Sequence, residues 1–347
     1  MFAVLMLLPV KATAQEAGKQ EKIDAKEIVL GHIGDAYQWH VTSWNDYEVT
    51  IPLPVILYSG NSGWHIFSSS NLFPKGGSYQ GFTIATDGEY AGKIVETMSD
   101  GSQCRPFDIS ITKSALGLLI NCSVLLLLVL YTALWYRKKT PQSQAPKGLV
   151  GLMEMFIVWV EQDVIKVCIG KDYRRYSPYL LTVFFFILVN NLMGLVPLFP
   201  GGANVTGNIA VTCVLAVCTF LVINIWGNKE YWKDILWPNV PVWLKCPVPF
   251  MPVIELFGIF TKPFALMIRL FANIMAGHSV ILALTSIIFV TVSMGPYVNG
   301  AMTFVSFIFC IFMNLVELLV AFIQAYVFTM LSAVFIGLSR LEEKKAQ

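Results

Sequence analysis

Arg269, His278 and Glu317 are the residues of this chain that packing alone explains least well. Each lies inside an apolar run: Arg269 and His278 between Pro252 and Val292, Glu317 between Val298 and Ser339. A guanidinium keeps its proton at any ordinary pH, and placing it at membrane depth costs about 2.5–3.5 kcal/mol on insertion scales. A carboxylate in lipid is also expensive unless hydrated or paired, so Glu317 is expected to line a wet cavity. An imidazole, with an unperturbed pKa of about 6.5, suits the passing of protons near neutrality. Together these residue types point to an ion or proton pathway. The competing reading is structural, with Arg269 paired to a fixed carboxylate at a helix contact and Glu317 stabilising its own bundle through Asn314 or Ser306.

Spacing adds detail. At about 100° per residue, Ala265, Ala272, Ala276 and Ala283 fall within about 60° of Arg269, with Asn273 one turn on. Arg269 thus projects from a stripe of small side chains, the kind that lets another helix approach closely in lipid. His278, nine residues later, lies half a turn away and faces the protein's own interior. On the second run Thr303, Cys310, Glu317 and Gln324 recur every seven residues and share one slowly drifting face. Asn190 and Asn191, in VNNLMGLVPLFP, stand near the outer end of an earlier span, where they can line water or cap the helix before Pro197.

The elements that carry these residues follow from composition. The chain has 347 residues, 56% hydrophobic and 13% charged, with a formal net charge of +2. Soluble domains carry about 25% charged residues, and several runs here reach the eighteen or so apolar residues of a membrane helix. The expected fold is an all-α polytopic membrane protein with about five hydrophobic segments, preceded by a small β-rich exported domain. The last two segments should form a long tilted helical hairpin. The seven cysteines show no metal spacing, no cofactor site is indicated, and no nucleic-acid partner is expected. The helices contain neither a spaced nucleophile–base pair nor HExxH, and the halves show no internal repeat of the secondary-transporter kind.

In chain order, Phe2 to Val10 followed by Ala12-Thr13-Ala14 reads as a signal peptide over 1–14. Its missing basic n-region places the expected true start upstream of Met1. Residues 15–110 form the exported domain, with strand-like runs at Tyr47–Ile51, Ile56–Tyr58 and Gly81–Ile84 between turn signals. His32, His40 and His65 within it lack metal-ligand spacing and are expected to be solvated or hydrogen-bonded. Residues 111–340 form the membrane domain and 341–347 a cytoplasmic tail. Spans are expected at Ser114–Tyr136, Pro178–Phe199 (opened by Pro178 at its first helical position) and Asn204–Trp226. Gly148–Gly170, with Glu154, Glu161, Asp163 and Lys166 among apolar residues, reads as an amphipathic helix at the interface. Pro252–Val292 and Val298–Ser339, about 60 Å each as helices, must tilt, bend or break, with Pro263 the obvious breaking point. Lysine and arginine crowd the 137–176 and 227–250 connections and the tail, and are absent from 200–203 and 293–299. The N-terminal domain is therefore expected outside and the C-terminus inside.

RLFANIMAGH, the stripe ending in ELLVAFIQAYVF, and NNLMGLVP resemble subunit a of the membrane sector of F-type ATP synthases, over about residues 110–340. The resemblance implies a stator in a bacterial inner membrane, beside a ring of c subunits that each carry a membrane carboxylate. It also implies b-type peripheral stalk subunits, the remainder of the synthase, and two proton half-channels, with no catalytic site in this chain. Residue by residue, it implies that Arg269 is the essential arginine, Asn273 and Gln324 are its polar neighbours, and His278 and Glu317 are a proton-uptake pair reached past Asn191. There are departures. The acid and the histidine are exchanged relative to some bacterial members, Gly194 stands where those carry an aspartate, and the exported domain is longer than usual. The alternative class is a stand-alone ion- or proton-coupled transporter, but an arginine on a small-residue track calls for a partner surface.

Overall fold

The computed structural model describes residues 35–44, 47–60, 62–73, 77–85, 90, 92–97, 103–138, 146–196, 201–236 and 250–340. The expected signal peptide, His32 and the 341–347 tail lie outside them.

The first described part is β-rich. Strands β1 (Gln38–Trp44) and β2 (Tyr47–Pro52) pair with each other. β3 (Pro54–Ser59) lies between β4 (Gly63–Ser68) and β8 (Phe107–Asp108), and β6 (Ile94–Thr97) between β5 (Phe82–Ile84) and β7 (Gln103–Cys104). All pairings are antiparallel. In β3 the period of two puts Val55 and Leu57 into a small core with Tyr37, Phe67 and Phe82, and leaves Tyr58 outside. Tyr37 donates its hydroxyl to Asp108, and burial, then that carboxylate, pushes the phenol above its ordinary range. His65 is held through both ring nitrogens, by Gln80 and Ser62 at 2.8 Å each.

The remainder is helical: α1 (Lys113–Lys138), α2 (Leu149–Trp159), a π-helical turn (Val160–Ile165), α3 (Lys166–Ile169), α4 (Tyr173–Leu195), α5 (Ile209–Ile225), α6 (Lys229–Leu236), α7 (Phe250–Thr291) and α8 (Pro296–Leu338). Among the described residues, four stretches are long and apolar enough to cross a membrane: Lys113–Lys138, Leu149–Leu195, Val253–Thr291 and Pro296–Leu338; the apolar helix Ile209–Ile225 is shorter. A membrane bundle is held mainly by close packing and interhelical hydrogen bonds. Leu180, Phe184 and Ile187 of α4 meet Leu266 and Leu270 of α7 and Ala325, Phe328 and Ile336 of α8 in one core. At Gly337 the α8 backbone comes so near the Cys168 carbonyl that no Cβ would fit.

The Gly148–Gly170 region packs on α8, where Trp159 stacks on Phe322 and Tyr326 and Phe156 meets Phe322 at a tilt, and the chain runs on into α4. Two local readings change, both at prolines. Pro178 sits inside α4, not at its start. The carbonyl it leaves free belongs to Arg174, which is exposed to solvent. Pro263 does not break α7, which is helical from Phe250 to Thr291. Packing holds both sides of the proline, with Ile259 and Leu266 buried and Phe260 stacked on Phe220 at 5.6 Å.

A tight turn closes the α7–α8 hairpin. Gly295 takes φ +103°, which L side chains rarely adopt, and Pro296 opens α8 at its first position. At the far end Arg340 binds Asn228 at 2.7 Å and Asp172 at 3.1 Å, gathering the end of α8 and the starts of α6 and α4.

Candidate functional site

Helix α7 has two distinct faces. Ile259, Pro263, Leu266, Leu270 and Ile274 recur at three- and four-residue steps and are buried in the bundle. The opposite face leaves Ala265, Arg269, Ala272, Asn273, Ala276 and Ala283 exposed. The small-residue stripe is thus uncovered along its length, and Arg269 stands in it. Among the described residues no carboxylate pairs with its guanidinium, which leaves the fixed-carboxylate reading without support.

Gln324 of α8, 3% exposed, supports this face from behind. Its amide donates to the Arg269 carbonyl at 2.7 Å, and its oxygen accepts from the Asn273 amide at 3.1 Å. It therefore fixes the backbone that carries Arg269, while the guanidinium stays free to meet a ligand on the outer surface. Gln324 thus meets Arg269 through its main chain, and the Asn273 side chain meets Gln324.

A second polar centre lies about 14 Å further along α7, nine residues at 1.5 Å each. His278 Nδ1 approaches Glu317 Oε1 at 3.1 Å, with Glu317 4% exposed. The antiparallel hairpin sets this pairing: α8 descends as α7 rises, so Glu317 is level with His278 and Gln324 with Arg269. Gly277 makes room for the carboxylate, since a Cβ there would lie 2.9 Å from Glu317 Oε1.

Around the pair is a pocket lined by Asn190, Asn191, Gly194, Asn204, Thr206 and Ile274 among others. Asn191 donates to the Ala321 carbonyl at 3.2 Å and accepts from Thr206 at 2.7 Å. Asn190 accepts from Asn121 of α1 at 2.9 Å. These amides tie α4 to α1, α8 and the 201–208 connection, and neither caps the helix. The expected wet cavity is closed, because the side chains leave no water-sized void among them. The carboxylate oxygens of Glu317 find no hydrogen-bond donor among the described residues, a demand that water or a proton would meet. Asn314 does not help, because it turns back to the Cys310 carbonyl.

The six residues singled out from the sequence therefore fall into two groups. Arg269, Asn273 and Gln324 form one, and His278, Glu317 and Asn191 the other. Thr206, Asn204 and Asn121 escaped notice, since neutral residues carry no signal until their neighbours are known, and Gly277 stood in the RLFANIMAGH block without a role of its own. Gly194, the departure noted above, faces the pocket, its Cβ position 3.9 Å from His278 Nε2. No group of three or more His, Cys, Asp or Glu side chains that could hold a metal occurs among the described residues.

A family model described as ATP synthase A chain matches residues 118–337, and one for a domain of unknown function (DUF8433) matches residues 28–111. The chain is 44% identical over 244 residues to "ATP synthase subunit a" of Chloroherpeton thalassium, covering 68% of each chain. It is 46% identical over 239 residues to "ATP synthase subunit a 2" of Chlorobaculum tepidum, covering 67% of this chain and 64% of that one. With "ATP synthase subunit a" of Myxococcus xanthus it shares 41% over 255 residues, covering 72% and 77%. The matched stretch contains both polar centres and the hairpin that sets their levels, and on that footing the chain belongs to the ATP synthase A chain family.

Proposed function

We propose that this chain is the stator subunit of the membrane sector of an F-type ATP synthase and couples proton flow to rotation of a ring of c subunits. The observation that carries the proposal is the exposed arginine in a stripe of small residues, with a half-buried histidine, paired to a buried acid, at a different level on the opposite side of the same helix. The stripe is the surface against which the ring's carboxylate helices turn.

A proton from outside passes Asn191, reaches Glu317 and His278, and neutralises a ring carboxylate. The neutral site then crosses lipid without the cost of a buried charge. When it returns to Arg269, the cation favours the charged carboxylate, lowering its pKa by about 1–3 units, and the proton leaves to the inside. The same fixed charge blocks a direct leak between the two half-channels. Each charge moved contributes about 2.3 kcal/mol per 100 mV. The chemistry of ATP belongs to other subunits, and b-type stalk subunits hold this one against the torque.

The chain is a multi-pass protein of the bacterial inner membrane. The distribution of lysine and arginine puts residues 15–110 outside and the C-terminus inside. Two measurements test the reading. A cysteine at Ala272 should form a disulfide with one placed beside the ring carboxylate; no cross-link at any ring position, in an assembled complex, would favour the stand-alone transporter. A cysteine in the 293–299 turn should react with an impermeant thiol reagent on intact cells, and one at 341–347 should not; the reverse pattern overturns the orientation.

A further inference from the structure

The 201–208 connection between α4 and α5 presents two different faces. Asn204 and Thr206 line the His278–Glu317 pocket, and Thr206 holds Asn191 at 2.7 Å. Ala203 and Val205, the alternate residues, are 3% and 0% exposed and pack elsewhere. They are covered by Trp39 of β1, itself 2% exposed, with Leu116 and Ile120 of α1. Gly117 of α1 lies directly under Ala203, leaving no room for a Cβ. The β region is in turn fastened to the head of α1. The Ala36 carbonyl accepts from Lys113 N at 2.9 Å and the Asp35 carboxylate from Ser114 N at 3.0 Å, a charge the helix N-terminus favours. Side chains therefore run without a break from the β region, through a strap of chain, into the pocket.

The pocket leaves no water-sized void, so admitting water requires its lining to move, and Asn204 and Thr206 are the part of that lining carried on the 201–208 connection. The face opposite them is the one held by the indole, a large rigid group with few degrees of freedom. We propose that the N-terminal β region is the outer cover of the proton-uptake site: Trp39 seats the 201–208 strap and thereby sets the width of the pocket's outer mouth. Trp39 is a positioning residue that acts through Ala203 and Val205. This gives a role to the segment matched by the domain of unknown function, and it rests on the reading of Glu317 and His278 as that uptake site.

The test uses the assembled complex with native cysteines replaced and Asn204→Cys added, labelled from outside with an impermeant thiol reagent. Trp39→Ala should raise the labelling rate at least fivefold, whereas Trp39→Phe, which keeps an aromatic seat, should stay within twofold of the parent. Gly117→Ala, which displaces the strap from its other support, should also raise it. A rate within twofold of the parent in assembled Trp39→Ala overturns the proposal. If that variant does not assemble, an unchanged rate in Gly117→Ala overturns it instead. A Glu317→Gln complex that conducts protons at the parent rate would refute the uptake-site reading, while the labelling would still decide what seats the strap.

Discussion

Replacing Gly277 with alanine tests how tightly the acid–histidine pair is held. An alanine Cβ would lie 2.9 Å from Glu317 Oε1 and 3.1 Å from its carboxyl carbon, about 0.5 Å inside the 3.4 Å at which ordinary contact begins. Glu317 is buried between α7 and α8, so the strain falls on the carboxylate or on the helix spacing. Moving the carboxylate by about 0.5 Å would lengthen its 3.1 Å approach to His278 and loosen the pair. Overpacking of this size costs about 1–3 kcal/mol, which corresponds to a fall in proton conduction of about 5- to 150-fold if the pair lies on the path. ATP-driven acidification of inverted vesicles measures this, with ATP hydrolysis and subunit content as controls for assembly. Glu317→Asp, one methylene shorter, should relieve the clash, so the double variant should conduct better than Gly277→Ala alone. Full conduction by assembled Gly277→Ala, or a double variant no better than the single, would refute the argument.

Two further outcomes follow from the same geometry. The exchange of His278→Glu with Glu317→His should recover more conduction than either single change, because one acid and one base remain at the same depth; a double exchange no better than the worse single variant would count against a shared route. Gln324→Ala removes two hydrogen bonds behind Arg269, each contributing about 1 kcal/mol. It should lower thermal stability and weaken ATP-driven pumping less than tenfold. Pumping lost as completely as with Arg269 substituted would contradict a supporting role.

The parts legible in the sequence are those that a repeating period or an expensive side chain betrays. Arg269 and Glu317 are costly in lipid, so their types alone marked them, and helical periodicity put Arg269 on the alanine stripe and His278 on the opposite side. The level of His278 with Glu317 follows from their similar separations along the chain from the Gly295 turn. The pocket walls could not be read this way. Thr206 and Asn204 lie in an irregular connection without a period, and Gly277 matters only because Glu317 comes within 2.9 Å of its missing side chain. Pro178 and Pro263 misled for a related reason. Each breaks one hydrogen bond of a helix, but whether the helix stops depends on packing to either side, which a local reading does not see. Strands β2, β3 and β5 showed through their β-branched and aromatic runs, while β7 and β8, two residues each, carry too little sequence to announce themselves.

The central claim is that the Arg269 charge on the exposed face of α7 drives the exchange of protons with a moving carboxylate. The most direct measurement is ATP synthesis by vesicles under an imposed proton gradient, with Arg269→Ala and Arg269→Lys in complexes shown to be assembled. Alanine removes the charge; lysine keeps a charge but loses the planar fork and can shed its proton when buried. Synthesis should fall to background in both. Near-normal synthesis by either variant would contradict the assignment of Arg269 and the mechanism built on it.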